Sequence, residues 1–113
     1  MIEETVLDYL KSAGLSAPVY IEIPKNPSQE YFAIERTSGG MENHIKNSTF
    51  AIKSYANSLY RAACMNEEIK TAMLDGLITL GSISKVSLNS DYNFTDTTTK
   101  KYRYQAVFDI YHY

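Results

Sequence analysis

The last twelve residues of the chain, 102–113, form its longest alternating run of apolar and polar side chains. One face of this run carries Tyr104, Ala106, Phe108 and Ile110; the other carries Arg103, Gln105, Val107, Asp109 and Tyr111. Because successive strand side chains point to opposite sides of a sheet, the run predicts a long, half-buried strand. Tyrosine, of which the chain has 10, favours strands and interfaces. We therefore interpret the second face of this strand as a candidate subunit contact.

Four shorter segments repeat the period of two and predict four more strands: residues 18–24, 31–37, 48–55 and 83–88. In the third of these, Phe50 and Ile52 are predicted to point inward. The first two flank a segment of turn-forming residues, so they are predicted to pair as an antiparallel hairpin.

Three stretches between these strands are predicted to be irregular. Ser38-Gly39-Gly40 breaks the second strand, and residues 41–47 read as a polar loop. Residues 89–101 are long, polar and threonine-rich, which predicts a mobile loop.

Two further segments have helical spacing. Residues 2–13 form one amphipathic helix that ends at Gly14. Asn57 or Ser58 can cap the second helix, whose apolar stripe runs over Leu59, Ala62, Ala63, Ile69, Ala72 and Met73. The predicted order is α-β-β-β-α-β-β. It indicates one α+β domain, residues 1–113, with two helices on one face of a mostly antiparallel sheet.

Composition narrows the functional classes. A formal net charge of −2 argues against a dedicated nucleic-acid binder. Cys64 is the only cysteine, so we expect no internal disulfide and a reducing compartment. The acidic start lacks the layout of a signal peptide, and no apolar run approaches the roughly 20 residues of a membrane span. We therefore expect no membrane association.

The residues that usually carry catalysis form no recognisable constellation. His44 lies in a predicted loop, His112 lies near the end of the chain, and Cys64 sits among alanines as a small apolar residue. The pair Glu67-Glu68 is interpreted as a solvated helix face. Three aspartates lack metal-ligand spacing: Asp91, Asp96 and Asp109. We expect no catalytic residue, metal or cofactor.

Several segments, in order, resemble the tail terminator (tail completion) proteins of siphophages and their prophages. They are Ile34-Glu35-Arg36-Thr37-Ser38-Gly39-Gly40, Ala51-Ile52-Lys53-Ser54-Tyr55-Ala56, Ser84-Lys85-Val86-Ser87-Leu88-Asn89-Ser90-Asp91-Tyr92-Asn93-Phe94, and Arg103-Tyr104-Gln105-Ala106-Val107-Phe108-Asp109-Ile110. The resemblance covers residues 2–113. It implies a homohexameric ring that caps the tail tube, stops its polymerisation and presents a surface to the head-completion protein.

The resemblance also implies a location and a set of partners. The protein would be a virion tail component assembled in the host cytoplasm. It would contact the tail tube protein and the head connector, while DNA passes through the ring lumen without specific binding. A ring needs two different contact surfaces on each subunit. We assign these, as a hypothesis, to Arg103, Tyr111, Tyr113, Gly39, Gly40, Tyr92 and Phe94.

Three alternatives stay open on the sequence. The first is another head–tail joining or minor tail component, because fold alone does not separate these proteins. The second is a small nucleic-acid-binding module whose aromatic strands stack bases. The third is a small-molecule enzyme, for which the reactive residues are missing.

Overall fold

A computed structural model of the chain describes residues 1–42, 44–96, 98–99 and 101–113. Their elements are α1 (Ile2–Ser12), β1 (Val19–Tyr20), β2 (Tyr31–Glu42), β3 (Ile45–Ala56), α2 (Leu59–Thr71), β4 (Ile83–Asn93) and β5 (Tyr102–His112). A π-helical turn (Ala72–Gly76) and a 3₁₀ turn (Leu77–Thr79) follow α2. The predicted α+β class is confirmed.

The five strands form one mixed sheet in the order β1-β2-β3-β5-β4. Every neighbouring pair is antiparallel except β1 and β2, which run parallel with Val19 beside Phe32. The predicted antiparallel hairpin between residues 18–24 and 31–37 is therefore wrong. In the structure β1 ends at Tyr20, and residues 21–30 return the chain to the end of the sheet at which β1 begins. A connection of this length allows parallel pairing, which a tight turn does not.

The β2–β3 hairpin is longer than the sequence pattern indicated. Gly39 and Gly40 do not break β2: they pair with Ser48 and Asn47, because glycine accepts extended backbone as readily as a turn. The predicted loop 41–47 shrinks to a tight turn, in which His44 has a φ of 65°. Asn43, in the same predicted loop, lies outside the described residues.

The β4–β5 hairpin also corrects a prediction. Residues 89–93, predicted as part of a mobile loop, belong to β4, and residues 90–93 pair with β5. The pattern was hidden because a register shift between Leu88 and Ser90 interrupts the alternation, and because an edge strand tolerates polar residues. An isolated bridge between Asp96 and Lys101 closes the connection. Thr97 and Lys100 of the predicted loop lie outside the described residues.

Both helices pack on the same face of the sheet and bury one apolar core. Ser58 caps α2 by accepting a hydrogen bond from the Arg61 backbone N–H at 3.1 Å. Leu59, predicted in the apolar stripe, is exposed, and Met65 is buried instead. The largest fully buried side chains are Phe32, Phe50, Phe108, Leu10, Ile52, Met65, Ile69, Met73, Leu77 and Ile110.

The opposite face of the sheet has a different character. In the part of the chain that the structure describes, no helix packs against it, and a second small cluster forms there from Tyr31, Ala33 and Tyr55 with Tyr20 against them. We call this surface the open face. None of the described helices is long and apolar enough to cross a membrane.

Candidate functional site: the open face of the sheet

An aromatic row crosses the open face from β1 to β4. The Tyr20 and Tyr31 rings lie 5.7 Å apart, and Tyr31 stacks on Tyr55 at 4.6 Å. At the far end Tyr92 meets Phe94 edge to face at 5.8 Å. Aromatic pairs at such distances contribute beyond their buried area. The row therefore links strands that are distant in sequence into one side-chain surface.

Arg103 joins the two halves of this row. Its guanidinium carbon lies 4.3 Å from the Phe94 ring centroid and 5.8 Å from that of Tyr55. Its Nε donates a 2.6 Å hydrogen bond to the Phe94 carbonyl. Among the described residues no carboxylate forms an ion pair with it. The cation is held by two aromatic faces, the Phe94 carbonyl and, at 3.5 Å, the Tyr55 hydroxyl, and it keeps hydrogen-bonding capacity for a partner.

The two tyrosines at the centre of the row expose little of their rings. Tyr31 and Tyr55 are buried, and burial raises the pKa of the Tyr31 hydroxyl, with Tyr55 adding to the effect and Arg103 opposing it. Because these two rings stack on each other, they offer little free surface to a nucleobase. Tyr92 and Phe94, each 41% exposed, are the most exposed aromatic residues of the row. The row is thus a poorer base-stacking platform than its composition indicates.

The predicted interface residues fall into two groups at opposite ends of the sheet. Arg103, Tyr92 and Phe94 lie together at the β4–β5 hairpin end. The other four lie at the β2–β3 hairpin end, where Gly40 pairs with Asn47 and Asn47 with Tyr111: Gly39, Gly40, Tyr111 and Tyr113. Tyr111 lies beside Lys85, whose Nζ is 5.8 Å from its ring centroid, and Tyr113 is strongly exposed. The structure does not join the two groups into one patch.

Sequence reasoning missed half of the row: Tyr20, Tyr31 and Tyr55. Each alternates with inward-facing apolar residues, so the available signal was three tyrosines predicted on the same outward side of different strands. Predicting the row from this signal also requires the strand order, because the parallel β1–β2 pair brings Tyr20 beside Tyr31.

A polar clamp replaces the solvated helix face predicted at Glu67-Glu68. Glu68 accepts hydrogen bonds from the Ser16 backbone N–H and hydroxyl, at 3.0 and 2.6 Å. Arg61 bonds Glu30 at 3.1 Å through Nε, Ser16 Oγ at 2.6 Å, and lies 3.7 Å from Glu68. The prediction holds for Glu67, which is exposed, and is wrong for Glu68. The clamp ties the segments before and after β1 to α2.

Cys64 and the Ser48–His112 pair lie in different parts of the fold. Cys64 is half-buried in an open groove of about 610 Å³ between α1 and α2, and neither histidine lines that groove. Ser48 Oγ lies 3.0 Å from His112 Nε2, but both side chains are buried, and burial lowers the pKa of His112. A hydroxyl without access to solvent cannot meet a substrate. Within the described ranges, no group of three or more potential metal ligands occurs.

Comparison with known proteins gives no further assignment: no protein-family model and no curated protein matches this chain. The geometry of the open face is that of an extended, mainly aromatic surface.

Proposed function

We propose that the protein is a structural subunit of a siphophage tail, a terminator that caps the tail tube as a ring, and that it acts without catalysis. The observation that carries the proposal is the asymmetry of the sheet. Among the described residues, helices cover one face, no helix packs on the other, and no strand lies beside the outer edge of β4 or beside β2 after Ala33. Such a subunit offers different surfaces on different sides. A heterologous ring, unlike a two-fold dimer, requires surfaces that differ.

The placement of the predicted interface residues supports this proposal. One group lies at the β4–β5 hairpin end and the other at the β2–β3 hairpin end of a molecule that is 45 Å long and 25 Å wide. In a ring whose axis runs along the strands, these ends form the two rims. One rim would face the tail tube protein and the other the head-completion protein. The partners, the virion location and the DNA-filled lumen remain parts of the proposal.

Deletion of the gene from the phage or prophage that carries it tests the function, with electron microscopy of the lysate. Overlong or headless tails beside filled, tailless heads are the expected result. Tails of normal length that remain unjoined would reassign the protein to the head–tail joining class. Intact infectious particles would remove the structural role.

Point variants then test the contact residues. Tyr111→Ala is expected to reduce complementation of the deletion strain, because its half-buried ring lies on the open face at one rim. Tyr60→Ala is the matched control: this tyrosine is 79% exposed on α2 and lies outside the predicted interface. Equal complementation by the two variants would argue against Tyr111 as a contact residue.

A further inference from the structure

In the described part of the chain, the sheet has two strand edges without a neighbouring strand, and they differ in sequence. β4 is the last strand of the order, so its outer side is free along Ile83–Asn93. On the other side, β1 covers β2 only at Phe32 and Ala33. Within the described residues no strand lies beside β2 after Ala33. Long free edges normally pair with other chains unless something protects them.

The directions of the strands suit a repeat of the same chain. β2 and β5 both run antiparallel to β3, and β4 runs antiparallel to β5, so β4 runs opposite to β2. A second copy related by rotation about an axis along the strands keeps these directions. Its β4 then meets β2 in the antiparallel sense, with the helices of both copies on the same side. Antiparallel pairing is the commoner and slightly more stable arrangement.

We propose that the sheet continues from one copy to the next, with β4 of one chain pairing antiparallel to the free part of β2 of its neighbour. This inference rests on the proposed ring and names the contact that closes it. The cross-sheet register fixes which residues meet when copies lie at the same height. Ser87 pairs with Asp109, Asp109 with Thr49, and Thr49 with Ser38. Ser87 of one copy therefore faces Ser38 of the next.

The apolar residues at the two edges fit this register. Ile21 and Ile23, 47% and 43% exposed, wall an open groove of about 530 Å³ along β2 that reaches Arg36. The same cross-sheet register places Leu88 of one copy, which is 38% exposed, opposite Arg36 of the next. Leu88 of the neighbouring copy thus enters the groove. Its burial there removes exposed apolar surface from both chains.

The charges at the two edges are also compatible. Asp91, which accepts a 2.8 Å hydrogen bond from Lys70 of its own copy, falls level with Ile34. Arg36, 3.8 Å from Glu3, lies two residues further along the same face of β2. Diagonal neighbours of opposite charge attract across antiparallel strands. Lys85 falls level with Gly40, which has no side chain to repel it. The register therefore places no like charges opposite each other.

Irregularities along both edges make the contact selective. β2 has a register shift between Arg36 and Ser38, and β4 has shifts at Ile83/Lys85 and Leu88/Ser90. Such bulges hinder pairing with arbitrary strands. They leave a regular stretch at residues 85–88 of β4, which falls opposite residues 36–40 of β2, where Thr37 is the extra residue of the β2 bulge. A partner edge must match this short stretch, as a copy of the same chain does.

Cysteine cross-linking tests the register directly. All variants carry Cys64→Ala, which removes the single native thiol. The test chain adds Ser38→Cys and Ser87→Cys. Within one copy these positions are three strand spacings apart, about 14 Å, so only cysteines of different copies can join. The control chain carries Ser90→Cys in place of Ser87→Cys. Ser90 lies on the same face of the same strand as Ser87, but the register places it level with Glu35.

Mild oxidation followed by a denaturing gel, with light scattering on the unoxidised samples, separates the possible outcomes. We expect an assembled species in light scattering and a ladder of covalent multimers from the test chain, roughly tenfold stronger than from the control. Assemblies without the ladder, or equal ladders from both chains, would overturn the strand pairing and leave the ring proposal standing. A chain that stays monomeric at every concentration and yields no ladder would overturn both.

Discussion

Replacing Arg103 by alanine removes the side chain that joins the two halves of the aromatic row. Four contacts are lost: the 2.6 Å hydrogen bond from Nε to the Phe94 carbonyl, a long 3.5 Å hydrogen bond from Nη1 to the Tyr55 hydroxyl, and the faces of Phe94 and Tyr55 at 4.3 and 5.8 Å. A charge-assisted hydrogen bond contributes about 1.5 kcal/mol at a partly exposed site, and each cation–π contact about 0.5–1 kcal/mol. We therefore expect Arg103→Ala to lower the free energy of unfolding by about 2.5–3.5 kcal/mol.

Urea unfolding followed by far-UV circular dichroism measures this change, and the melting temperature should fall by roughly 10 °C. Arg103→Lys keeps the charge but lacks Nε and the planar face, so it should recover less than half of the loss. Lys85→Ala is the matched control, since Lys85 has a single aromatic contact at 5.8 Å, with Tyr111. A loss for Arg103→Ala no larger than that for Lys85→Ala would refute the reasoning.

Three further predictions concern other parts of the fold. Burial lowers the pKa of His112 in the folded protein below the ordinary value of about 6.5. The free energy of unfolding should therefore be unaffected by His112 above about pH 6.5, and should decline as the pH falls from there to the pKa of the folded state. His112→Asn should remove this part of the pH dependence of the urea midpoint. Gly76→Ala places a methyl group against the Tyr9 hydroxyl and 2.7 Å from its Cζ, so it should cost about 1–3 kcal/mol in urea unfolding, and less when Tyr9→Ala is also present. Arg61→Met should cost about 1–2 kcal/mol at low salt and clearly less in 1 M salt, because the ion pairs it removes are about one-third exposed; equal losses at both salt concentrations would contradict that account.

The strands that alternate cleanly were predictable from the sequence. The inward positions of Phe50, Ile52, Ala106, Phe108 and Ile110 follow from the period of two, and all five are buried. The parallel course of β1 was not predictable, because alternation is the same for either direction of pairing. Whether β1 pairs parallel or antiparallel with β2 depends on the end of the sheet to which the connecting segment returns, and that depends on the assembled sheet.

The site was predictable only in part. Arg103, Tyr92 and Phe94 were named from their places in a strand and a supposed loop, and the structure brings these three together. The tyrosines that complete the row lie on β1, β2 and β3, and their contact depends on register across the sheet. A periodic pattern reports which face a residue takes, but it does not report its neighbour on the next strand.

The short β1 strand has a consequence for how the molecule opens. It holds only two residues against β2, and the remaining attachment of the first 20 residues comes from α1 and the polar clamp of Arg61 and Glu68. Amide hydrogens of α1 should therefore exchange with solvent through a partial opening, at lower free energy than those of β3 and β5. That opening would uncover the apolar face of β2. An N-terminal segment exchanged between two copies could then fill the same place, a route to swapped dimers.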